Sequence, residues 1–211
     1  MDILLVAGGS PKEWPALKEK YDQYIGIDRG ALYLIQHDFP LDLAIGDFDS
    51  LDPQEKEHVK KAAVDLIQAP AEKDDTDTQL GLSKTLMLYP EATITLIGAT
   101  GGRIDHLLAN LWLPLEPRFK SHAQQLVISD RQNHLTFYLP GEHSITQLPE
   151  MKYLAYCCLT PVTQLAIRKS KYELEPTDVS QPTSYASNEF ISDTAEFSFL
   201  EGVVAVIQSR D

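Results

Sequence analysis

Four aspartates fall in two short blocks, Gly46-Asp47-Phe48-Asp49-Ser50 and Lys73-Asp74-Asp75-Thr76-Asp77. Asp47 and Asp49 are two residues apart and share a side in extended chain; Asp74 and Asp77 are three apart and share a side at a helix start. Like charges gathered 4 Å apart repel by about 4 kcal/mol per pair at an effective dielectric near 20, and a divalent cation relieves that repulsion. Oxygen ligands with no His or Cys beside them in sequence suit Mg²⁺ held partly through phosphate. The plainer account is that Asp at a helix N-terminus is favourable by roughly 0.3–1 kcal/mol without any metal and is common in turns. For Asp75 alone, capping or solvation is the better account; for Asp47, Asp49, Asp74 and Asp77 together, a Mg²⁺ site is.

A second chemical stretch runs from Ile94 to Asn110. Ile94, Leu96 and Ile97 form an apolar run of the kind found in a parallel strand, and Gly98, Gly101 and Gly102 let backbone N–H groups approach an anion. A helical pattern follows from about Asp105, with Leu107, Leu108, Leu111 and Trp112 on one stripe. No Gly-Lys-Ser/Thr follows the glycines, so this is not a Walker A loop. Glycines alone would fit an ordinary strand-to-helix turn. Arg103, Asp105 and His106 behind them shift the reading toward a phosphate site.

The elements that must position these residues alternate through the first 120 or so residues. Apolar runs at 3–7, 24–27, 43–45, 64–67 and 94–97 are separated by helical patterns near 15–21 and at 30–36, 53–63 and 76–88, with a last run at 126–129. Such alternation predicts an α/β domain with a largely parallel sheet and flanking helices. Ligands in such sheets bind beyond the carboxyl ends of the strands, and that is where the Asp28, Asp47–Asp49 and Asp74–Asp77 blocks fall. Asp52-Pro53-Gln54-Glu55 marks one helix start, with Asp as N-cap and Pro at the first helical position. Beyond Arg131 the helical period disappears. Short β-rich segments at 135–139, 144–148, 153–160, 162–168, 189–192, 195–200 and 203–207 predict a small all-β, sandwich-like domain. The expected domains are therefore 1–131 and 132–211.

Composition narrows the partners. The 211 residues can bury a sizeable core, and a formal charge of −13 argues against a nucleic-acid partner. No run of eighteen apolar residues occurs, which gives no membrane-spanning helix. The opening Met1-Asp-Ile-Leu-Leu-Val-Ala-Gly-Gly suits a first strand better than a secretory signal, and a cytoplasmic location is expected. Cys157 and Cys158 are adjacent, so neither a disulfide framework nor a zinc site can be built from them.

Four blocks in order, Gly26-Ile27-Asp28-Arg29-Gly30-Ala31, Gly46 to Ser50, Lys73 to Asp77 and Gly101-Gly102-Arg103-Ile104-Asp105-His106, resemble the thiamine pyrophosphokinases. So do Lys171-Tyr172-Glu173-Leu174 and Ser187-Asn188-Glu189 near the C-terminus. The resemblance implies transfer of diphosphate from ATP to the hydroxyl of thiamine, a nucleotide-binding α/β domain, a β domain and a homodimer with a shared thiamine pocket. It implies that Asp47, Asp49, Asp74 and Asp77 hold Mg²⁺ and the phosphates and, with Arg103 and Asp105, form the catalytic set. Asp28, Arg29, Gly30, Lys73, Thr100, Gly101, Gly102, Arg103 and His106 would bind the nucleotide. Tyr172 would stack on the vitamin, with Ser187 and Asn188 lining its pocket; a cation is attracted to an aromatic face by about 0.5–2 kcal/mol. Lys169 stands where many relatives have Gly. Two rivals remain: a haloacid-dehalogenase-like phosphatase with Asp47 as nucleophile, and a non-catalytic thiamine or nucleotide sensor.

Overall fold

The computed structural model describes residues 1–70 and 74–211, and the chain divides into two compact units. Unit 1 comprises Met1–Leu113 with Gln125–Arg131, and unit 2 comprises Pro114–Gln124 with Gln132–Asp211.

Unit 1 contains β1 (Asp2–Val6), β2 (Gln23–Ile27), α1 (Arg29–Gln36), β3 (Leu43–Gly46), α2 (Pro53–Ala62), β4 (Asp65–Gln68), α3 (Asp77–Leu88), β5 (Thr93–Ile97), α4 (Ile104–Trp112) and β6 (Leu126–Ser129). The strands run in the order β6-β5-β1-β2-β3-β4, all pairings parallel. β1 and β3 are almost wholly buried, as expected of parallel strands covered on both faces. Gly30 lets α1 lie close on β1, because a Cβ there would come within 2.0 Å of the Val6 carbonyl oxygen. α2 starts with the expected Asp52 cap, reinforced by Glu55 bonding back to the Asp52 N–H.

The helix expected near 15–21 does not form. Trp14, Leu17 and Tyr21 have helical spacing, but they pack irregularly against the core of Leu4, Leu34 and Phe48. Asp2 pins this segment from outside, bonding Lys18 at 2.6 Å and donating its N–H to Asp22 at 2.8 Å. Tertiary contacts override the local pattern. Only a 3₁₀ turn, Pro11–Glu13, precedes it.

Unit 2 holds the short helix α5 (Pro117–Lys120) and two four-stranded antiparallel sheets built from β7 (Asn133–Tyr138), β8 (Gly141–Thr146), β9 (Tyr153–Cys158), β10 (Val162–Arg168), β11 (Leu174–Val179), β12 (Thr183–Glu189), β13 (Thr194–Phe199) and β14 (Val204–Ser209). Their orders are β12-β9-β14-β7 and β11-β10-β13-β8. One core joins them, with Leu154, Tyr156 and Val204 from the first sheet against Leu165, Ile167 and Phe197 from the second. This is a β-sandwich. Glu189 ends β12, and Ile191–Asp193 form a bend, so the strand expected at 189–192 is displaced toward the N-terminus. No helix among the described residues is long and apolar enough to cross a membrane.

Candidate active site

In unit 1, β2, β3 and β4 extend from one side of β1 while β5 and β6 extend from the other. Open α/β sheets bind ligands at such a switch point, beyond the strand ends. A cleft of about 600 Å³ lies there, walled by the segments after β1, β2 and β5 and by the start of α3. Its floor is backbone against backbone: the Gly9 N–H donates to the Gly98 carbonyl at 2.8 Å, and a Cβ on Gly9 would lie 2.4 Å from that oxygen. Gly98, Gly101 and Gly102 have φ of 66°, 76° and 64°, the left-handed region that favours glycine. A Cβ on Gly101 or Gly102 would meet nothing within 4 Å, so their backbone faces open space. The turn is tied at two points, by Asn110 Nδ2 donating to Ala99 O at 2.8 Å and Thr100 Oγ1 donating to Asp130 at 2.7 Å.

Asp28, Asp47 and Asp49 each offer a carboxylate oxygen within 4.8 Å of the others. Asp28 occupies the N-cap position of α1 but does not cap it. Its φ of 51° turns the side chain away from the helix, and Oδ2 accepts from Ser50 Oγ at 2.6 Å. Oδ1 is buried without a hydrogen-bond partner. Burial raises the Asp28 pKa, the charges of Asp77, Asp47 and Asp49 raise it further, and the Ser50 bond opposes them. Asp47 Oδ1 accepts the Asp49 N–H at 3.0 Å, and Phe48 between them has a φ of 59° with its ring in the core. Arg29 braces this loop through Nη2 to the Ser50 carbonyl and through a 3.5 Å ion pair with Glu55. An all-oxygen, like-charged donor set with one buried, unbonded oxygen fits a hard divalent cation.

The other residues expected at the site separate clearly. Asp28, Arg29, Asp77, Thr100, Gly101, Gly102, Arg103 and His106 line the cleft. Asp74 is exposed in the turn before α3 and stands outside the three-carboxylate group. The cap of α3 is Thr76, not Asp75, with Gln79 bonding back to it. Gly30 is buried at the α1–β1 contact rather than at the cleft wall. Asp105 is exposed and bound to Arg103 at 2.5 Å, a bond that holds its carboxyl below the usual carboxylate range. Lys73 lies outside the described residues. Sequence reasoning missed Gly8, Gly9 and Ser10, although a glycine pair directly after the apolar run Ile3–Ala7 repeats the strand-then-glycine signal used for β5.

The residues expected to bind thiamine belong to unit 2. Tyr172, in the loop between β10 and β11, leaves 59% of its surface exposed. Lys169 takes a φ of 53°, and its N–H donates to Glu173 at 2.9 Å. Ser170 is buried against Tyr156, whose hydroxyl lies 3.0 Å away and is pushed by burial up to a pKa of about 12. Ser187 is exposed with a φ of 59°, whereas Asn188 is buried with its amide bonded to the Tyr172 backbone.

Comparison with known proteins agrees with this arrangement. The family model described as thiamin pyrophosphokinase, catalytic domain, matches residues 14–128, and that described as thiamin pyrophosphokinase, vitamin B1 binding domain, matches residues 142–204. The curated thiamine pyrophosphokinase of Bacillus subtilis (strain 168) is 34% identical over 214 residues, covering 99% of each chain. Among solved structures, a thiamin pyrophosphokinase family protein from Enterococcus faecalis is 57% identical with a TM-score of 0.98, covering 100% of both chains. Thiamin pyrophosphokinase from Geobacillus thermodenitrificans is 33% identical with a TM-score of 0.86, covering 100% of this chain and 98% of that one. With both family models matched in order and full-length relatives above 30% identity, the chain belongs to the thiamin pyrophosphokinase family of enzymes.

Proposed function

We propose that this enzyme transfers a diphosphate group from ATP to the hydroxyl of thiamine, forming thiamine diphosphate and AMP with Mg²⁺ as cofactor. The observation that carries the reading is the convergence of Asp28, Asp47 and Asp49 within 4.8 Å beside a cleft floored by glycine backbone. The glycine turn would hold the triphosphate through backbone N–H groups at the start of α4, with Arg103 adding its guanidinium at the rim. Asp28, Asp47, Asp49 and Asp77 would hold Mg²⁺, which when bound neutralises phosphate charge. The thiamine hydroxyl would attack the β-phosphorus in line and AMP would leave, so catalysis comes mainly from positioning and charge complementarity. Tyr172 would stack on the cationic vitamin, with Ser187 at its edge.

Product analysis with ATP, Mg²⁺ and thiamine tests the reading. AMP and thiamine diphosphate in equal amounts support it. Inorganic phosphate without AMP would indicate a phosphatase, and binding without turnover a sensor. A screen of other alcohol acceptors, such as a pterin, would expose a different substrate.

A homodimer is part of the same proposal. Ile104, Leu108 and Trp112 recur every four residues along α4 and remain 72%, 38% and 54% exposed. Apolar surface of that kind on a helix marks a contact face. Sedimentation velocity should give twice the chain mass, and Trp112→Glu should shift the protein toward monomer; a fully active monomer at assay concentration would remove the dimer from the proposal.

A further inference from the structure

Asn188 is 3% exposed, and a buried amide is costly unless its polar atoms are bonded. Here Oδ1 accepts the Tyr172 N–H at 2.9 Å and the Glu189 N–H at 2.9 Å, while Nδ2 donates to the Tyr172 carbonyl at 2.7 Å. The side chain therefore engages both backbone polar groups of one residue, as a neighbouring strand would. Main-chain contacts beside it continue the same line: Ser170 bridges Phe190, and the Lys171 N–H donates to the Glu189 carbonyl at 3.0 Å. Asn188 supplies the next rung, at the point where the loop would otherwise leave the edge of β12.

The backbone of β12 is shaped to aim that amide inward. Tyr185 pairs with Tyr156 and Asn188 with Leu154, so three steps along β12 match two along β9. The extra residue makes a bulge, and bulges re-aim side chains. Tyr185 is half-buried, Ala186 and Ser187 are both exposed, and the inward position falls on Asn188 instead of Ser187. Ser187 carries the left-handed φ of 59° that the bulge requires. The result is a loop whose backbone is held while its largest side chain is left in the open.

We infer that Asn188 is a positioning residue for thiamine: its amide fixes the backbone of Tyr172 so that the ring is presented to the vitamin, and it acts without touching the vitamin itself. This inference rests on the proposed stacking of Tyr172.

The test compares Tyr172→Ala, Asn188→Ala, the double variant and Asn188→Asp, with thiamine and ATP varied separately and melting temperature recorded. Tyr172→Ala and Asn188→Ala should each raise the thiamine KM about tenfold while the ATP KM stays within about twofold. The double variant should be no worse than either alone, because both remove one contact. Asn188→Asp keeps the acceptor for the Tyr172 N–H but loses the donor to its carbonyl, so its thiamine KM should fall between those of the parent protein and Asn188→Ala. A raised thiamine KM in Tyr172→Ala with a normal one in Asn188→Ala overturns the positioning role and leaves the stacking intact. A rise in both KM values with a fall in melting temperature overturns it in favour of a purely structural role. A normal thiamine KM in Tyr172→Ala overturns the stacking itself, and this inference with it. Should Asn188→Ala fail to fold, Asn188→Asp decides: a selective rise supports the role and an unchanged thiamine KM ends it.

Discussion

At the rim of the parallel sheet, carboxylates of Asp28, Asp47 and Asp49 crowd within 4.8 Å, whereas around Tyr172 opposite charges meet: Lys171 with Glu189 at 2.7 Å, Lys169 with Glu196 at 2.5 Å and Arg168 with Glu175 at 2.9 Å. Both regions use backbone in the left-handed region, at Asp28 and Phe48 in one and at Lys169 and Ser187 in the other. What differs is the electrostatic state left behind. The first concentrates one sign of charge and leaves a buried oxygen of Asp28 unbonded; the second neutralises its charges locally and leaves an aromatic surface. Under the proposed function, a bound cation would relieve the repulsion in the first region. A region arranged for a flat organic cation can be settled beforehand, because a ring face needs no counter-charge. Lys171 Nζ, paired with Glu189, also lies over the Tyr172 ring, 5.6 Å from its centroid.

The comparison breaks most visibly if charge at the rim can be removed without consequence. Asp49→Asn keeps size and should lower turnover by roughly a hundred- to a thousandfold at saturating substrates while the melting temperature hardly changes, since Asp49 is exposed. Near-normal turnover at limiting Mg²⁺ would place Asp49 outside the metal site. A smaller effect concerns Asp28. Its folded-state pKa is raised above the unfolded value, so the linked stability is complete below 3.8 and is lost as pH rises through the raised value. Asp28→Asn cannot ionise, and with chelator present it should melt above the parent protein at neutral pH. The gap should close on acidification below 3.8, and a gap independent of pH would show that Asp28 repulsion is not its cause. The smallest effect is expected in unit 2. Lys171→Met should leave the melting temperature unchanged, because exposed ion pairs contribute little net stability; a fall of several degrees would mean that this pair, rather than the backbone clamp, holds the loop.

Much of unit 1 was legible because burial writes a period into the sequence. Leu126–Ser129 and the starts of α2 and β5 follow from apolar runs and a capping box, and the acidic blocks then fall at strand ends. Their convergence was only partly legible. Asp28 joins Asp47 and Asp49 through its turned backbone, while Asp74, equally acidic in sequence, remains outside; sequence spacing does not report φ. In unit 2, β11 was missed as a strand and β12 was expected too far toward the C-terminus. Both are edge strands with a single buried residue each, and β11 contains Pro176, which a sheet edge tolerates. With neither face fully buried, no alternation is imposed. The bulge that directs Asn188 inward has no sequence signature of its own.

Phe48 gives the acidic loop a further property. The residue between two of the carboxylates has its ring only 3% exposed, within the cluster that includes Leu4, Ala44 and Val59. Its carbonyl also accepts the Leu51 N–H at 3.1 Å. Segments that open by local unfolding have few buried contacts, and this one cannot swing outward without drawing an aromatic ring from the core. The carboxylates are therefore unable to relieve their repulsion by fraying. Their spacing is expected to form cooperatively with unit 1, and in a hydrogen-exchange measurement the amide of buried Phe48 should exchange with the slow core rather than with the surface.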